Sequence, residues 1–452
     1  MTAGTVLQRH VPHVDLGAIA ERRKWLPPLV AASIAAVLGL YRIGDKSLSV
    51  DEAYEYAIAQ FPTSLFLETL PGNLERTVYL FILRPWLMVG DGEVHLRLLS
   101  VVFGVIAVLA TYAVGKRYAV AFPAALLLAV APQFVQYEQD ARHYTLFVAW
   151  SALTTLAYLR LTERPGRREA VIYVVLAGLM IYVHLLGSLV IVAHGLATLF
   201  LVDRPLRPRI LALYVPVGLA WLPVIPFVFA QRGRFDWVPP LTALSLSEHL
   251  ILLTGGPLLA GAMAVLLAGF MRKDLPALWL AVPIVGTVLI SLIFQPLMQA
   301  RYVLGVLPAA ALIVGRARTA MLAVVVALSL IGVFNWYETG YKTDWRTGAA
   351  FVSARVQPGD GIVFASPWIR LPFAYYAQVA DPIYPSHPWS TPFLSSPGQR
   401  LPVAGHDRIW LVLGHGTEAP DWLWQELEPY RLVESLDLGD NLDIQLLEAP
   451  QT

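Results

Sequence analysis

Cysteine is absent from this chain of 452 residues, and charged residues are scarce, at 14% of the total. The missing cysteine excludes disulfide bonds, thiolate metal sites and cysteine nucleophiles. Soluble domains contain about 25% charged residues, so the low charge excludes a soluble fold for most of the length. A formal net charge of only +1 gives no general electrostatic support for binding nucleic acid.

Hydrophobic residues are abundant instead, at 57% of the chain, with 13 Trp, 19 Tyr and 18 Phe. So many large apolar side chains exclude a disordered coil. About eleven apolar runs are long enough, or nearly so, to cross a bilayer core about 30 Å thick. They are Leu26–Ile43, Leu98–Val114, Ala121–Phe134, Thr145–Leu161, Ala170–Tyr182, Leu185–Leu201, Ile210–Ala230, Leu250–Phe270, Leu275–Phe294, Tyr302–Val314 and Ala320–Phe334.

Lysine and arginine lie on alternate connections between these runs, as the positive-inside rule requires for one side of a membrane. The cytoplasmic loops would then contain Arg22–Lys24, Lys116–Arg117, Arg164–Arg168, Arg204–Arg209, Arg272–Lys273 and Arg316–Arg318. We therefore expect a multi-pass protein of the cytoplasmic membrane with its N-terminus in the cytoplasm. An odd number of spans places the C-terminal part outside.

The C-terminal part differs in composition, because from Glu338 onward the chain has 14 acidic and only 7 basic residues. Short β-rich runs at Gly361–Ser366 and Arg408–Gly414 and helical patterns at Pro372–Gln378 and Asp421–Leu427 predict a small α/β domain. The predicted fold class is a polytopic α-helical membrane protein of about eleven transmembrane helices with this domain outside the cytoplasm.

The expected organisation has three parts. Residues 1–25 form a cytoplasmic segment, residues 26–335 form the transmembrane module, and residues 336–452 form the extracytoplasmic domain. Long external loops are expected at residues 44–96 and 135–144. Within the first loop, Leu74–Val89 is apolar but interrupted by Arg76, Arg84 and Pro85, which favours an interfacial or re-entrant helix over a span.

Polar side chains are concentrated in the loops expected outside the membrane. Charge at membrane depth is costly, so its position is informative. Mixed acids, arginines, histidine and tyrosines at one face indicate a polar cavity at the depth of the lipid headgroups. The candidate catalytic or substrate-binding residues are Asp51, Glu52, Glu138, Asp140, Arg142, His143, Tyr144, Arg301 and Tyr302.

Such a cavity suits a substrate whose phosphate lies at the headgroups and whose tail lies in the bilayer lipid. Cations would bind the phosphate and stabilise its growing charge, and one carboxylate would take a proton from an acceptor hydroxyl. Asp51 or Glu52 is the candidate base. Arg142, His143 and Arg301 are the candidates for the phosphate side.

Structural explanations stand beside these roles. Asp51 and Glu52 also fit the acidic first turn of an interfacial helix, and Arg142 also fits an ion pair with Asp140 or Glu138. Arg301 also fits an anchor at the outer membrane face. For three further residues the structural explanation is favoured: His184 fits a packed interfacial histidine rather than a ligand, and Arg232 and Arg234 of a later outer loop fit a solvated loop.

The order of these motifs resembles the membrane glycosyltransferases of the GT-C fold, which include protein O-mannosyltransferases and aminoarabinose transferases. The acidic pair within Ser49–Tyr56 is similar to the family's first external loop, and Gly90–Tyr118 is similar to its second span. Gln136–Leu146 resembles the second external loop, and Arg301-Tyr302 resembles the start of a late helix. The segment from Asp344 to Asp360 resembles the junction to the external domain.

The resemblance implies transfer of a sugar, with inversion, from a polyprenyl-phosphate donor to a glycan, lipid or protein acceptor outside the cytoplasm. No nucleotide cofactor is expected, and no nucleic acid. By its position, Asp51 would be the general base, with Glu52 adjacent to it. Asp140 stands where the family usually has Glu, and Glu138 is an additional acid. Which carboxylate meets the substrate or a divalent metal therefore stays open, as do the sugar and the acceptor.

Two other classes of protein remain as alternatives. A transporter or flippase of lipid or polysaccharide predicts ionisable groups near the middle of the membrane and broken helices in paired halves. The few charges within the apolar runs disfavour it. A non-catalytic assembly factor, whose C-terminal part binds cell-wall polymer, predicts that the outer acids can be replaced without effect.

Overall fold

The computed structural model describes residues 16–230, 238–366, 368–377, 405–414, 421–439 and 442–450. The expected loop residues Arg232 and Arg234 and most of the expected segment 1–25 lie outside these ranges. Within them, the helices before residue 340 are α1 (Leu16–Leu40), α2 (Val50–Gln60), α3 (Thr63–Thr69), α4 (Thr77–Trp86), α5 (Glu93–Gly115), α6 (Ala121–Ala129), α7 (Pro132–Glu138), α8 (Tyr144–Glu163), α9 (Arg167–Val183), α10 (Ser188–Leu201), α11 (Arg207–Ala212), α12 (Tyr214–Trp221), α13 (Val224–Ala230), α14 (Ala243–Thr254), α15 (Pro257–Phe270), α16 (Leu275–Ile293), α17 (Leu307–Val314) and α18 (Thr319–Thr339).

Helix α5 is central to the helical part, because it packs against α1, α6 and α8. Its buried face contains small residues such as Gly104, Ala107 and Ala110, which let neighbouring helices approach closely. Helices farther from the centre expose large apolar side chains, among them Phe200, Ile293 and Phe334. Exposed apolar surface of this extent fits a lipid environment rather than water.

Three helices of the described residues are long and apolar enough to cross a membrane by themselves: Glu93–Tyr118, Leu275–Ile293 and Thr319–Thr339. Two bent helix pairs would raise that number to five. Several predicted runs are divided into shorter helices, because glycine or proline interrupts them. The total of eleven spans therefore stays a prediction.

The predicted run Leu250–Phe270 shows such an interruption. Its two helices, α14 and α15, meet at an angle of 91°. Gly255 and Gly256 lie between them with φ of +95° and +153°, and Pro257 begins the second helix. These backbone angles are accessible to glycine but costly for other residues. The bend packs α14 against a 3₁₀ segment, Ala300–Val306, that contains Arg301.

Helix α4 accounts for the apolar stretch that was expected to be interfacial. It contains 10 residues, so it is about 15 Å long. A helix of that length cannot cross a bilayer core about 30 Å thick. It lies between α2 and α9.

Within the described residues, the C-terminal part contains the strands β1 (Gly361–Phe364), β2 (Arg408–Gly414), β3 (Arg431–Asp437) and β4 (Leu442–Glu448). They form a four-stranded sheet in the order β1-β2-β4-β3. Strands β1 and β2 are parallel, and the other neighbouring strands are antiparallel. Helices flank the sheet, and its buried core includes Trp345, Phe364, Phe373 and Trp410. The helices are α19 (Trp345–Ser353), α20 (Arg370–Tyr376) and α21 (Asp421–Leu427).

Candidate active site

Helix α2 presents the two acids of the first loop. Ser49 caps the helix: its hydroxyl accepts a hydrogen bond from the backbone N–H of Glu52, and the Glu52 carboxylate accepts one from the backbone N–H of Ser49. This capping box places Asp51 and Glu52 in the first turn, where the helix dipole favours negative charge. Asp51 and Glu52 thus form the acidic first turn that was expected of a helix here. Their two carboxylates nevertheless have different surroundings.

Glu52 is buried and bonded on both oxygens. Arg97 donates to it over 2.7 and 3.1 Å, Lys342 over 2.8 Å, and the backbone N–H of Ala141 over 2.9 Å. Burial by itself would raise the pKa of Glu52, but Arg97 and Lys342 outweigh it and hold that pKa well below its usual range. Glu52 is therefore a charged structural group with little capacity to accept a proton.

Asp51 is the exposed member of the pair, with 47% of its side chain accessible. Arg142 Nη1 lies 3.2 Å from Asp51 Oδ1 and also donates to the Asp51 backbone carbonyl over 3.1 Å. Arg301 Nη1 lies 3.6 Å from Asp51 Oδ2. The structure thus brings together the first-loop acid, the second-loop arginine and the arginine that precedes a late helix.

Glu55, one helical turn after Asp51, is a buried member of the same cluster. Arg76 lies 3.2 Å from it, and Arg142 and His143 each lie 3.6 Å away. The sequence reasoning did not select Glu55 or Arg76. The spacing of four residues from Asp51 on a capped helix was the available signal, because residues i and i+4 share a helix face.

Rings pack beside the arginines. The His143 ring centroid lies 4.6 Å from that of Tyr144 and 5.5 Å from that of His184. Tyr302 lies 5.8 Å from His184, and His184 stacks on Phe147 at 4.3 Å. The packed role expected for His184 agrees with this stacking.

The charge state of His143 follows from its surroundings. Burial lowers its pKa well below the usual range, and the positive charges of Arg142 and Arg76 lower it further. His143 is therefore neutral at physiological pH. It can offer a hydrogen bond to a substrate, but it does not add a positive charge to the phosphate side.

Asp140 pairs with a lysine that the sequence reasoning missed. Lys342 Nζ lies 2.9 Å from Asp140 Oδ1. Lys342 follows α18, about 200 residues after the second loop, and nothing in its local sequence indicated this contact. Arg142, for which a pair with Asp140 was one explanation, instead contacts Asp51 and Glu55.

Glu138 does not contact the cluster around Asp51. Its side chain packs against Gly39 and Gly104, and within the described part of the chain neither carboxylate oxygen has a hydrogen-bond partner. The substrate-binding role expected for Glu138 therefore has no support in this geometry, since the side chain is enclosed between helices α1 and α5.

Metal binding was left open by the sequence. Across the described ranges, no group of three or more His, Asp and Glu side chains is arranged to hold a metal ion. The candidate site comprises Asp51, Glu55, Arg76, Arg142, His143, Tyr144, His184, Arg301 and Tyr302, with Glu52, Arg97, Asp140 and Lys342 behind them.

Comparison with solved structures assigns the fold. ArnT from Cupriavidus metallidurans in the apo state aligns with a TM-score of 0.60 and 15% identity, over 95% of this chain and 100% of that one. The same protein bound to undecaprenyl phosphate aligns with a TM-score of 0.59 and 14% identity, over 95% of this chain and 99% of that one. This chain has the fold of ArnT.

The similarity to ArnT is accompanied by a family match. Residues 77–229 match the dolichyl-phosphate-mannose-protein mannosyltransferase family, and this segment contains the second loop with Arg142, His143 and Tyr144. No curated protein sequence matches the chain. The predicted resemblance to GT-C glycosyltransferases is confirmed. The ArnT-like fold and the long apolar helices also confirm a multi-pass membrane protein.

Proposed function

We propose that this chain is an integral-membrane glycosyltransferase that moves a sugar from a polyprenyl-phosphate donor to an acceptor outside the cytoplasm. The observation that carries the proposal is the position of Asp51 beside both Arg142 and Arg301. The match to a dolichyl-phosphate-mannose family supports this donor class. So does the ArnT structure with undecaprenyl phosphate, because both lipids are polyprenyl phosphates.

Asp51 is the general base in this proposal. The acceptor hydroxyl attacks the anomeric carbon of the sugar, and the bond from that carbon to the phosphate oxygen breaks. The hydroxyl proton passes to Asp51, and the polyprenyl phosphate leaves with the bonding electrons. Attack from the face opposite the phosphate inverts the configuration. Glu52 is unsuited to this step because Arg97 and Lys342 occupy its oxygens.

The two arginines act on the phosphate. A phosphate and a carboxylate present similar pairs of oxygens to a guanidinium group, so the donor competes with Asp51 for Arg142 and Arg301. Contacts to the phosphate stabilise the charge that grows on the leaving group. The same exchange releases the Asp51 carboxylate to accept a proton. Glu55 holds Arg142 from the buried side during the exchange.

The site is proposed to lie at the extracytoplasmic face, with the N-terminus in the cytoplasm and residues 336–452 outside. Helix α5 supports this orientation, because it has Arg97 of the site near its start and the basic pair Lys116-Arg117 just after its end. Its 23 residues span about 34 Å, a full bilayer core. The proposed organisation keeps about eleven spans over residues 26–335.

Replacement of Asp51 tests the proposal. In liposomes supplied with polyprenyl-phosphate sugars and candidate acceptors, we expect Asp51→Asn to lower turnover by about 10²–10⁴-fold. Asp45→Asn is the matched control, since Asp45 lies in the same loop but pairs with Arg42 at the surface. Near-normal turnover of a folded Asp51→Asn protein would exclude Asp51 as the base.

A further inference from the structure

Lys342 connects the two loops that carry the candidate catalytic groups. Its ammonium donates to Glu52 Oε2 over 2.8 Å, to Asp140 Oδ1 over 2.9 Å and to the Gln139 carbonyl over 3.2 Å. The side chain is 8% exposed. One buried positive charge therefore holds a carboxylate from the first external loop and a carboxylate from the second.

The contacted carboxylates are close in sequence to the reacting groups. Glu52 is adjacent to Asp51, and Asp140 precedes Arg142 by two residues. The separation between Asp51 and Arg142 therefore depends on how closely the two loops are held. Without the ammonium, Asp140 would lose this ion pair, and Glu52 would keep Arg97 and backbone N–H donors but lose its bond to the second carboxylate through Lys342.

The position of Lys342 is itself fixed by the start of the C-terminal domain. Asp344 accepts a hydrogen bond of 3.0 Å from the Ser47 hydroxyl, and Arg346 donates to the Gly44 carbonyl over 3.0 Å and pairs with Glu93. These contacts fasten the segment after α18 to the first loop. Lys342 thus projects from an anchored backbone.

We propose that Lys342 is a positioning residue, through which the start of the C-terminal domain sets the distance between Asp51 and Arg142. The proposal rests on the proposed transferase function. Lys342 does not touch the reacting atoms, and it acts through Glu52 and Asp140. Its removal should disturb the alignment of the base with the phosphate-binding arginine.

Lys342→Met and Lys342→Arg, in the full chain in liposomes, test this role. A displacement of about 1 Å in a catalytic group can cost about 100-fold in rate. We expect Lys342→Met to lower kcat by about 100-fold, with less than about a threefold change in the KM for the donor. Lys342→Arg, which keeps the positive charge, should have a kcat between those of Lys342→Met and the wild type. Hydrogen exchange should rise in peptides from both residues 47–56 and residues 138–144.

Lys46→Met is the matched control. Lys46 lies in the same region, but its ammonium donates only to the carbonyls of Trp336 and Tyr337 among the contacts described. We expect unchanged kcat and unchanged exchange in both loops. Wild-type kcat and exchange in Lys342→Met would overturn the proposal. A different outcome would separate the two proposals. If Lys342→Met raises exchange in both loops but the wild type transfers no sugar, the transferase function is refuted and the positioning contact is supported.

Discussion

At the scale of single residues, two neighbouring carboxylates have opposite chemistry because of what surrounds them. Asp51 is half exposed between two arginines at 3.2 and 3.6 Å. Glu52 is buried, and Arg97, Lys342 and backbone N–H groups occupy its oxygens. Residue type does not distinguish a base from a structural anion, whereas burial and hydrogen bonding do.

Thermal unfolding of two variants should separate these roles. Glu52→Gln leaves Arg97 and Lys342 without their buried counter-charge, which typically costs about 3–5 kcal/mol. Asp51→Asn changes a half-exposed ion pair, which typically costs less than about 1 kcal/mol. We expect a large fall in the unfolding temperature only for Glu52→Gln, measured in detergent micelles. Equal falls would contradict the distinct roles of the two acids.

At the scale of elements, the bend between α14 and α15 links a glycine pair to the candidate site. The 91° bend lets α14 pack on the segment Ala300–Val306, in which Arg301 lies. A straight helix over the same run could not return to that segment. The conformation of Gly255 and Gly256 is therefore a condition for the position of Arg301.

Gly255→Ala should destabilise the protein. Gly255 has φ of +95°, and a Cβ there would lie 2.4 Å from the Cβ of Pro132, so strain of about 1–3 kcal/mol or more is expected. Gly261→Ala, within α15 with nothing within 4 Å of the new Cβ, is the control and should be neutral or slightly stabilising. Unfolding temperatures in detergent would show the contrast, and equal values would contradict it.

At the scale of the whole molecule, the acidic C-terminal part of the chain is bonded to the loop that precedes α2 and to the residues before α5. Ser47 and Asp344 are bonded directly, and the Leu48 backbone N–H donates to the Tyr376 hydroxyl over 2.7 Å. Tyr375 donates to the Asp91 carbonyl over 2.7 Å. The domain is therefore expected on the same side of the membrane as Asp51.

Single cysteines can test the sidedness, because the chain contains none of its own. Asp91→Cys lies just before α5, where the Asp91 carbonyl accepts a hydrogen bond from Tyr375, and Arg168→Cys lies at the start of α9 among the basic loops. A membrane-impermeant maleimide applied to intact cells should label Asp91→Cys, and it should label Arg168→Cys only after permeabilisation. The reverse pattern would place the site in the cytoplasm and exclude the proposed function.

The sequence by itself determined the features that depend on local order. Apolar runs predicted the long helices, because a helix that crosses the bilayer needs a continuous stretch of apolar residues, whether they face lipid or neighbouring helices. The runs Arg408–Gly414 and Asp421–Leu427 match β2 and α21. The motif order also indicated the fold of ArnT and the residues Asp51, Arg142 and Arg301. Strands β3 and β4 were missed. Strand β3 is polar and largely exposed, which resembles loop sequence, whereas β4 alternates buried apolar residues with polar ones, a strand pattern that was available.

Only the tertiary structure decided which charges meet. Glu52 and Lys342 are 290 residues apart in the chain, and no local pattern encodes such a pair. The structure also separated Glu138 from the cluster and added Glu55 and Arg76 to it. A carboxylate becomes a base or a structural anchor through its burial and its partners, and those are fixed only when distant loops pack together.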